Sequence, residues 1–211
     1  MTGISRFLDS HAHLADAAFD ADRDDVVSRA RAVGAAAIVA VGESVDAARR
    51  SRDLAAGYPG FLFFTAGVHP HDAAGFDPAR DPDALRLFLA QGAVALGECG
   101  LDYHYDHSPR TLQRRAFAAQ LALAQESGKP VVVHTREAED DTAAMVREAG
   151  AAGIRGVLHC FTGSRALADT GLAAGWYISF SGIVTFRTWL DEELLRLVPE
   201  SHLLVESDAP Y

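Results

Sequence analysis

Along the 211 residues, short runs rich in β-branched and aromatic side chains alternate with stretches whose apolar positions recur at helical spacing. The first apolar run, 6–13, leads into a polar segment in which Val26, Ala30 and Val33 form an apolar stripe. Asp20 reads as the N-cap of this helix, Asp22, Asp24 and Asp25 as acids of its first turn, and Gly34 as its stop. Next come a buried strand over 36–41, a helix over 45–57, a strand over 61–68, and a helix opened by Asp81-Pro82 with Leu85, Phe88 and Leu89 on one face. A fourth strand, 93–98, precedes a longer helix that Ser108-Pro109 starts and Gly128-Lys129-Pro130 ends, with Phe117, Leu121 and Ala124 at helical spacing. Strands over 131–134, 155–159, 176–180 and 202–208 complete the series, with a helix near 190–198 before the last.

Eight strands joined by seven helices imply a parallel sheet, because each helix is a crossover that returns the chain to the same edge. That count favours a closed TIM-type (β/α)8 barrel over a doubly wound open sheet, and no glycine fingerprint for a dinucleotide follows the first strand. No Pro-, Gly- and Ser-rich linker divides the chain, so residues 1–211 read as one domain. The eighth helix of such a barrel is lacking, since the sequence stops at Tyr211, just after Asp208. Leu203 and Val205 are then expected on an uncovered outer face. Either the sequence is incomplete, or this seam is a surface for self-association.

With 49% hydrophobic and 23% charged residues, the chain has the balance of a folded domain rather than a disordered one. No apolar run reaches the roughly 18 residues of a membrane span, the start has no signal-peptide core, and Cys99 and Cys160 alone cannot make a disulfide framework; a cytoplasmic protein is expected. The net charge of −10 excludes a broad basic surface for nucleic acid, so an anionic substrate must be gripped locally.

The reactive residues gather at strand ends. In Asp9-Ser-His11-Ala-His13 the two-residue period of a strand points both imidazoles to one side. His69, Glu98, His134, His159 and Asp208 end the third, fourth, fifth, sixth and eighth strands, and a parallel barrel brings all such ends to one mouth. His11, His13, His134 and His159 with Glu98 and Asp208 suit two divalent cations, one carboxylate being able to bridge; magnesium, manganese, zinc and iron all accept such ligands. Asp208 is the candidate to orient water and take its proton, His69 to contact the substrate or its leaving group, and Arg136, two residues beyond His134, to hold an anionic oxygen of the substrate. Glu206, on the side of Asp208, is a candidate to stand behind the ligands or to touch substrate, and Tyr103 or His104 offers a ring at the lip on which a planar substrate group can stack.

These residues sit in Asp9-Ser-His-Ala-His-Leu, Gly67-Val-His-Pro-His, Gly97-Glu-Cys-Gly-Leu-Asp-Tyr, Pro130-Val-Val-Val-His-Thr-Arg-Glu, Gly156-Val-Leu-His-Cys-Phe-Thr-Gly and Glu206-Ser-Asp-Ala-Pro-Tyr. This ordered set resembles the TatD family of metal-dependent hydrolases and deoxyribonucleases. The resemblance implies a barrel with a two-metal centre: His11, His13 and Asp208 on one ion, His134 and His159 on the other, Glu98 between them. It also implies cleavage of phosphodiester bonds, commonly as a 3′–5′ exonuclease acting on DNA ends. Related barrels that use a carboxylated or Schiff-base lysine are excluded, because the only lysine, Lys129, precedes the fifth strand at the far end from the mouth. Two alternatives stand beside this reading: an amide or ester hydrolase acting on a small molecule or an aminoacyl end, and a non-catalytic scaffold. A further metal site in 102–107 is not expected. His71 is expected in solvent, His202 in a structural role, Cys99 and Cys160 in the strand–helix layer, and Trp176 and Trp189 in packing.

Overall fold

The computed structural model describes residues 6–189 and 191–211. Eight strands form one sheet in chain order: β1 (Phe7–Ala12), β2 (Ala35–Ala40), β3 (Leu62–Ala66), β4 (Ala95–Asp102), β5 (Val131–Arg136), β6 (Gly156–Leu158), β7 (Tyr177–Phe180) and β8 (Leu203–Val205). Every neighbouring pair is parallel. The helices between them are α1 (Arg23–Ala32), α2 (Val45–Ala56), α3 (Asp81–Ala90), α4 (Arg110–Ser127), α5 (Glu139–Ala151), α6 (Arg165–Ala173) and α7 (Glu192–Leu197).

The sheet closes on itself through backbone bonds just beyond the paired strands. Asp208 N–H donates to the His11 carbonyl at 3.0 Å, and His13 N–H to the Ala209 carbonyl at 2.8 Å. The expected TIM-type barrel is therefore present, nearly closed, with all strand ends at one mouth.

The helices bury the faces that the sequence pattern marked. Leu85 and Phe88 of α3 and Phe117, Leu121 and Ala124 of α4 all enter the core, while Leu89 is half-buried. Gly128 ends α4 in the left-handed conformation at φ 67°. Trp176 is fully enclosed, and its indole N–H donates to the Ile154 carbonyl at 2.8 Å. Trp189 packs edge-on to Phe180, and His202 lies in a turn against Tyr177.

Several local expectations are corrected. Asp20 does not cap α1; Asp22 occupies that position without a side-chain hydrogen bond, while Asp20 takes the Arg23 guanidinium. Ser108-Pro109 does open α4, with Pro109 at its N-cap, and the Ser108 hydroxyl donates to the His71 carbonyl at 2.6 Å. The helix expected from residue 190 starts at Glu192, and residue 190 itself lies outside the described residues. On the seam, Leu203 packs against the core, whereas Val205 is 50% and Leu8 43% exposed.

β4 and β5 are packed closely enough to forbid a side chain at Gly100. Its φ is 131°, and an added Cβ would lie 2.0 Å from the His134 carbonyl oxygen. Gly100→Ala is expected to destabilise the fold by about 2–4 kcal/mol through backbone strain and loss of register. Thermal denaturation should then show a midpoint lower by roughly 5–15 °C; an unchanged midpoint would contradict this packing.

Candidate metal centre

Glu98 projects from β4 into the mouth of the barrel, and its two carboxylate oxygens face different sets of groups. Oε2 lies 3.3 Å from His11 Nε2 and 3.8 Å from His13 Nε2, both carried by the end of β1. Asp208 Oδ1, just past β8, completes this side at 3.6 Å from His11 Nε2 and 3.5 Å from His13 Nε2. On the other side, Oε1 lies 2.8 Å from His159 Nε2, 3.2 Å from His134 Nδ1 and 3.3 Å from His69 Nε2. The histidines, Glu98 and Asp208 named from the strand-end pattern are thus brought together.

The spacing is that of donors around an ion. Two atoms each about 2.1 Å from one cation, at a tetrahedral angle, lie about 3.4 Å apart. His11 and His13 even bring their Nε2 atoms within 3.2 Å of each other. Among the described residues, every group of side chains placed to hold an ion belongs to this mouth, including one formed by His13, Glu43 and Glu98.

The outer nitrogens of the imidazoles decide which inner nitrogens have a free lone pair. His13 Nδ1 is 3.0 Å from Glu43 Oε2, His134 Nε2 is 3.0 Å from Asp102 Oδ2, and His159 Nδ1 is 3.4 Å from Glu206 Oε1. In the neutral rings of His13 and His134 an N–H donated to that carboxylate leaves the opposite nitrogen unprotonated and aimed at the centre. His69 is wired the other way. Its Nδ1 accepts the His71 N–H at 3.2 Å, so in the neutral ring Nε2 carries the proton and faces Glu98 as a donor. His11 Nδ1 is buried without a partner, and His159 Nδ1, though 3.4 Å from Glu206, makes no hydrogen bond.

Backbone clips hold these groups in place. Asp9 Oδ1 accepts the N–H of Ser207 at 2.9 Å, which ties the segment carrying Asp208 to β1. Two buried glutamines of α4 act like stretches of strand: Gln113 bonds both N–H and carbonyl of Asp102 at 2.8 and 2.9 Å, and Gln120 does the same for Val68, next to His69, at 2.8 and 3.0 Å.

The remaining candidates divide. Glu206 stands behind a candidate ligand, buried against His159, where it accepts Ser179 Oγ–H at 2.6 Å and the Cys160 N–H. Tyr103 is not free at the lip, because its hydroxyl bonds Asp141 and Arg114 and the Arg110 guanidinium lies 4.3 Å over its ring. His104 pairs with Glu137 at 2.7 Å. Arg136 is exposed, stacked over Tyr105 at 4.9 Å. His71 is half-buried rather than in solvent, its Nε2 3.0 Å from Asp102 Oδ2. Cys99 is a core residue as expected. Cys160 is only partly buried, because β6 ends at Leu158 and strand alternation no longer governs it.

Burial and charge oppose each other throughout. Burial raises the cost of ionising Glu98, yet His159, His69 and their neighbours hold its pKa well below the usual value. Burial likewise disfavours protonated His13, but the carboxylates of Asp208 and Glu43 push it up to about 10. His134 and His159 are also raised, against burial, by Asp102 and Glu98 and by Glu98 and Glu206 respectively. Protons therefore occupy these rings near neutrality, and a cation must displace them. Because the free site binds more protons than the loaded one, affinity rises with pH toward about 10 and falls on acidification. Adding Mn2+ to chelator-treated protein at pH 7.5 in weak buffer is expected to release more than one proton per chain. A titration releasing none would overturn this account.

Comparison with known proteins agrees with this geometry. The family model described as TatD related DNase matches residues 8–211. The chain is 41% identical over 208 residues to the uncharacterized metal-dependent hydrolase YcfH of Escherichia coli K12, covering 97% of this chain and 77% of that protein. It is 38% identical over 212 residues to the 3′-5′ ssDNA/RNA exonuclease TatD of Musicola paradisiaca, covering 97% of this chain and 78% of that protein. The crystal structure of YJJV, a TatD homolog from Escherichia coli K12, superposes with a TM-score of 0.87 at 28% identity, over 97% of this chain and 80% of that one. With its barrel, its strand-end histidines and carboxylates and this match along nearly its whole length, the chain belongs to the TatD family of metal-dependent hydrolases.

Proposed function

We propose that this mouth holds two divalent cations and hydrolyses phosphodiester bonds at the 3′ end of single-stranded nucleic acid, DNA in the first place. The observation that carries the reading is the division of Glu98, whose Oε2 faces His11 and His13 while Oε1 faces His134 and His159. His11, His13 and Asp208 would hold one ion, His134 and His159 the other, with Glu98 between them. Relatives named as 3′-5′ ssDNA/RNA exonucleases support the substrate class and polarity.

The ions, when bound, supply Lewis acidity and lower the pKa of water. The chain does the rest. Asp208 is the more open of the two ligand carboxylates, with a side chain 17% exposed against 3% for Glu98, so it can orient a water molecule and take its proton. His69, protonated on Nε2, donates to an oxygen of the phosphate or of the leaving group. Arg136 at the rim binds a non-bridging phosphate oxygen.

The test is a set of end-labelled single-stranded DNA and RNA oligonucleotides, run beside carboxylic ester and amide substrates with Mg2+ or Mn2+. Stepwise release of nucleotides from the 3′ end is expected. Turnover of esters or amides without phosphodiester cleavage would replace this reading with the carbonyl-hydrolase alternative.

A further inference from the structure

We infer that Tyr105 is a positioning residue for substrate phosphate, acting through the guanidinium of Arg136. This deepens the phosphodiesterase reading above and rests on it. The need for such a grip follows from the charge around the centre. Besides Glu98 and Asp208, the structure brings Glu43, Asp102 and Glu206 against the ligand histidines, so five carboxylates oppose the roughly four positive charges of two divalent ions. In a chain of net charge −10, a phosphate then gains little from the general field, and a cation at the rim becomes decisive.

Arg136 is placed for that task. It lies opposite Asp102 in the β4–β5 register, two residues beyond His134. The neighbouring carboxylate, Glu137, is taken by His104 at 2.7 Å, and no carboxylate pairs with Arg136 among the described residues. Its partner is an aromatic face: the guanidinium carbon sits 4.9 Å from the centre of the Tyr105 ring. Stacking occupies the flat face of a guanidinium and leaves its N–H edge for a phosphate oxygen.

Tyr105 is itself fixed toward the centre. It is 51% exposed, yet its ring meets the edge of His71 at 5.6 Å and lies parallel to His107. His71 bonds Asp102, which bonds His134, so one chain of contacts links the rim cation to the ligand sphere. The ring therefore limits the rotamers of a long, exposed side chain at the mouth end of β5 and keeps it beside the segment that follows Asp102.

Kinetics on an ordinary single-stranded oligonucleotide and on one ending in abasic sugars separate this role from others. Tyr105→Ala is expected to raise KM about threefold to fivefold on both substrates with kcat unchanged, and Tyr105→Phe to restore it. In an Arg136→Ala background, removing the ring should add nothing. A loss confined to the base-bearing substrate, or one that adds to the loss from Arg136→Ala, would make Tyr105 a base-stacking group and overturn the proposal, as would an unchanged KM. If the unmodified protein cleaves neither oligonucleotide, the phosphodiesterase reading falls and this proposal with it; if it cleaves both and Tyr105→Ala matches it, only the proposal falls.

Discussion

Glu98→Ala should reduce kcat/KM on a phosphodiester by at least about a thousandfold and leave the protein without either ion. The size of the effect follows from the double duty of the side chain. Each oxygen closes a different group of imidazoles, so no other carboxylate can replace it on both sides. The loss also takes from His159, whose ring stacks on that of His11 at 3.9 Å, the anion that does most to support its protonation. The isosteric Glu98→Gln separates charge from shape: it should retain the fold and still lose metal and turnover. Metal content by atomic spectroscopy beside the nuclease assay checks both. A Gln variant that keeps two ions and near-normal turnover would end the bridging interpretation.

Asp102→Ala is expected to weaken metal binding by about tenfold to a hundredfold and to lower activity at limiting metal by a similar factor. Asp102 touches no site for an ion directly. Its Oδ2 takes the outer nitrogen of His134 and that of His71, each at 3.0 Å, and its Oδ1 accepts the N–H groups of His104 and Tyr105 at 3.0 and 2.9 Å. Without it, His134 can put its proton on either nitrogen, and the fraction with Nδ1 free for a cation falls. Excess metal should recover most of the lost turnover, as it cannot for Glu98→Ala. Isothermal titration with Mn2+ measures the shift; wild-type affinity in Asp102→Ala would show that His134 needs no such partner.

The contrast between these residues marks what was legible in the sequence. The barrel and the inner ring of donors were readable because parallel strands and a fixed strand end convert one-dimensional spacing into a shared mouth. Asp102 was not, because the fourth strand appeared to stop at Glu98. The structure carries it four residues further, through Gly100 to Asp102. Glu43 was missed for a related reason: it sits just before α2, where an acid reads as helix-start chemistry, and only the fold brings it to His13. Tyr103 shows how the fold reassigns a residue: its type suits substrate contact, but Asp141, distant in sequence, takes its hydroxyl. Glu206 stands behind His159, as its place beside Asp208 on the last strand suggested.

One residue both supplies the final donor and stitches the first strand to the last. Asp208 turns its carboxylate to His11 and His13 while its own amide bonds the His11 carbonyl. Occupancy and enclosure would then be one event seen from two sides: a cation held by that carboxylate would draw the staves of the cask together, and a chelator that removed it would slacken the hoop.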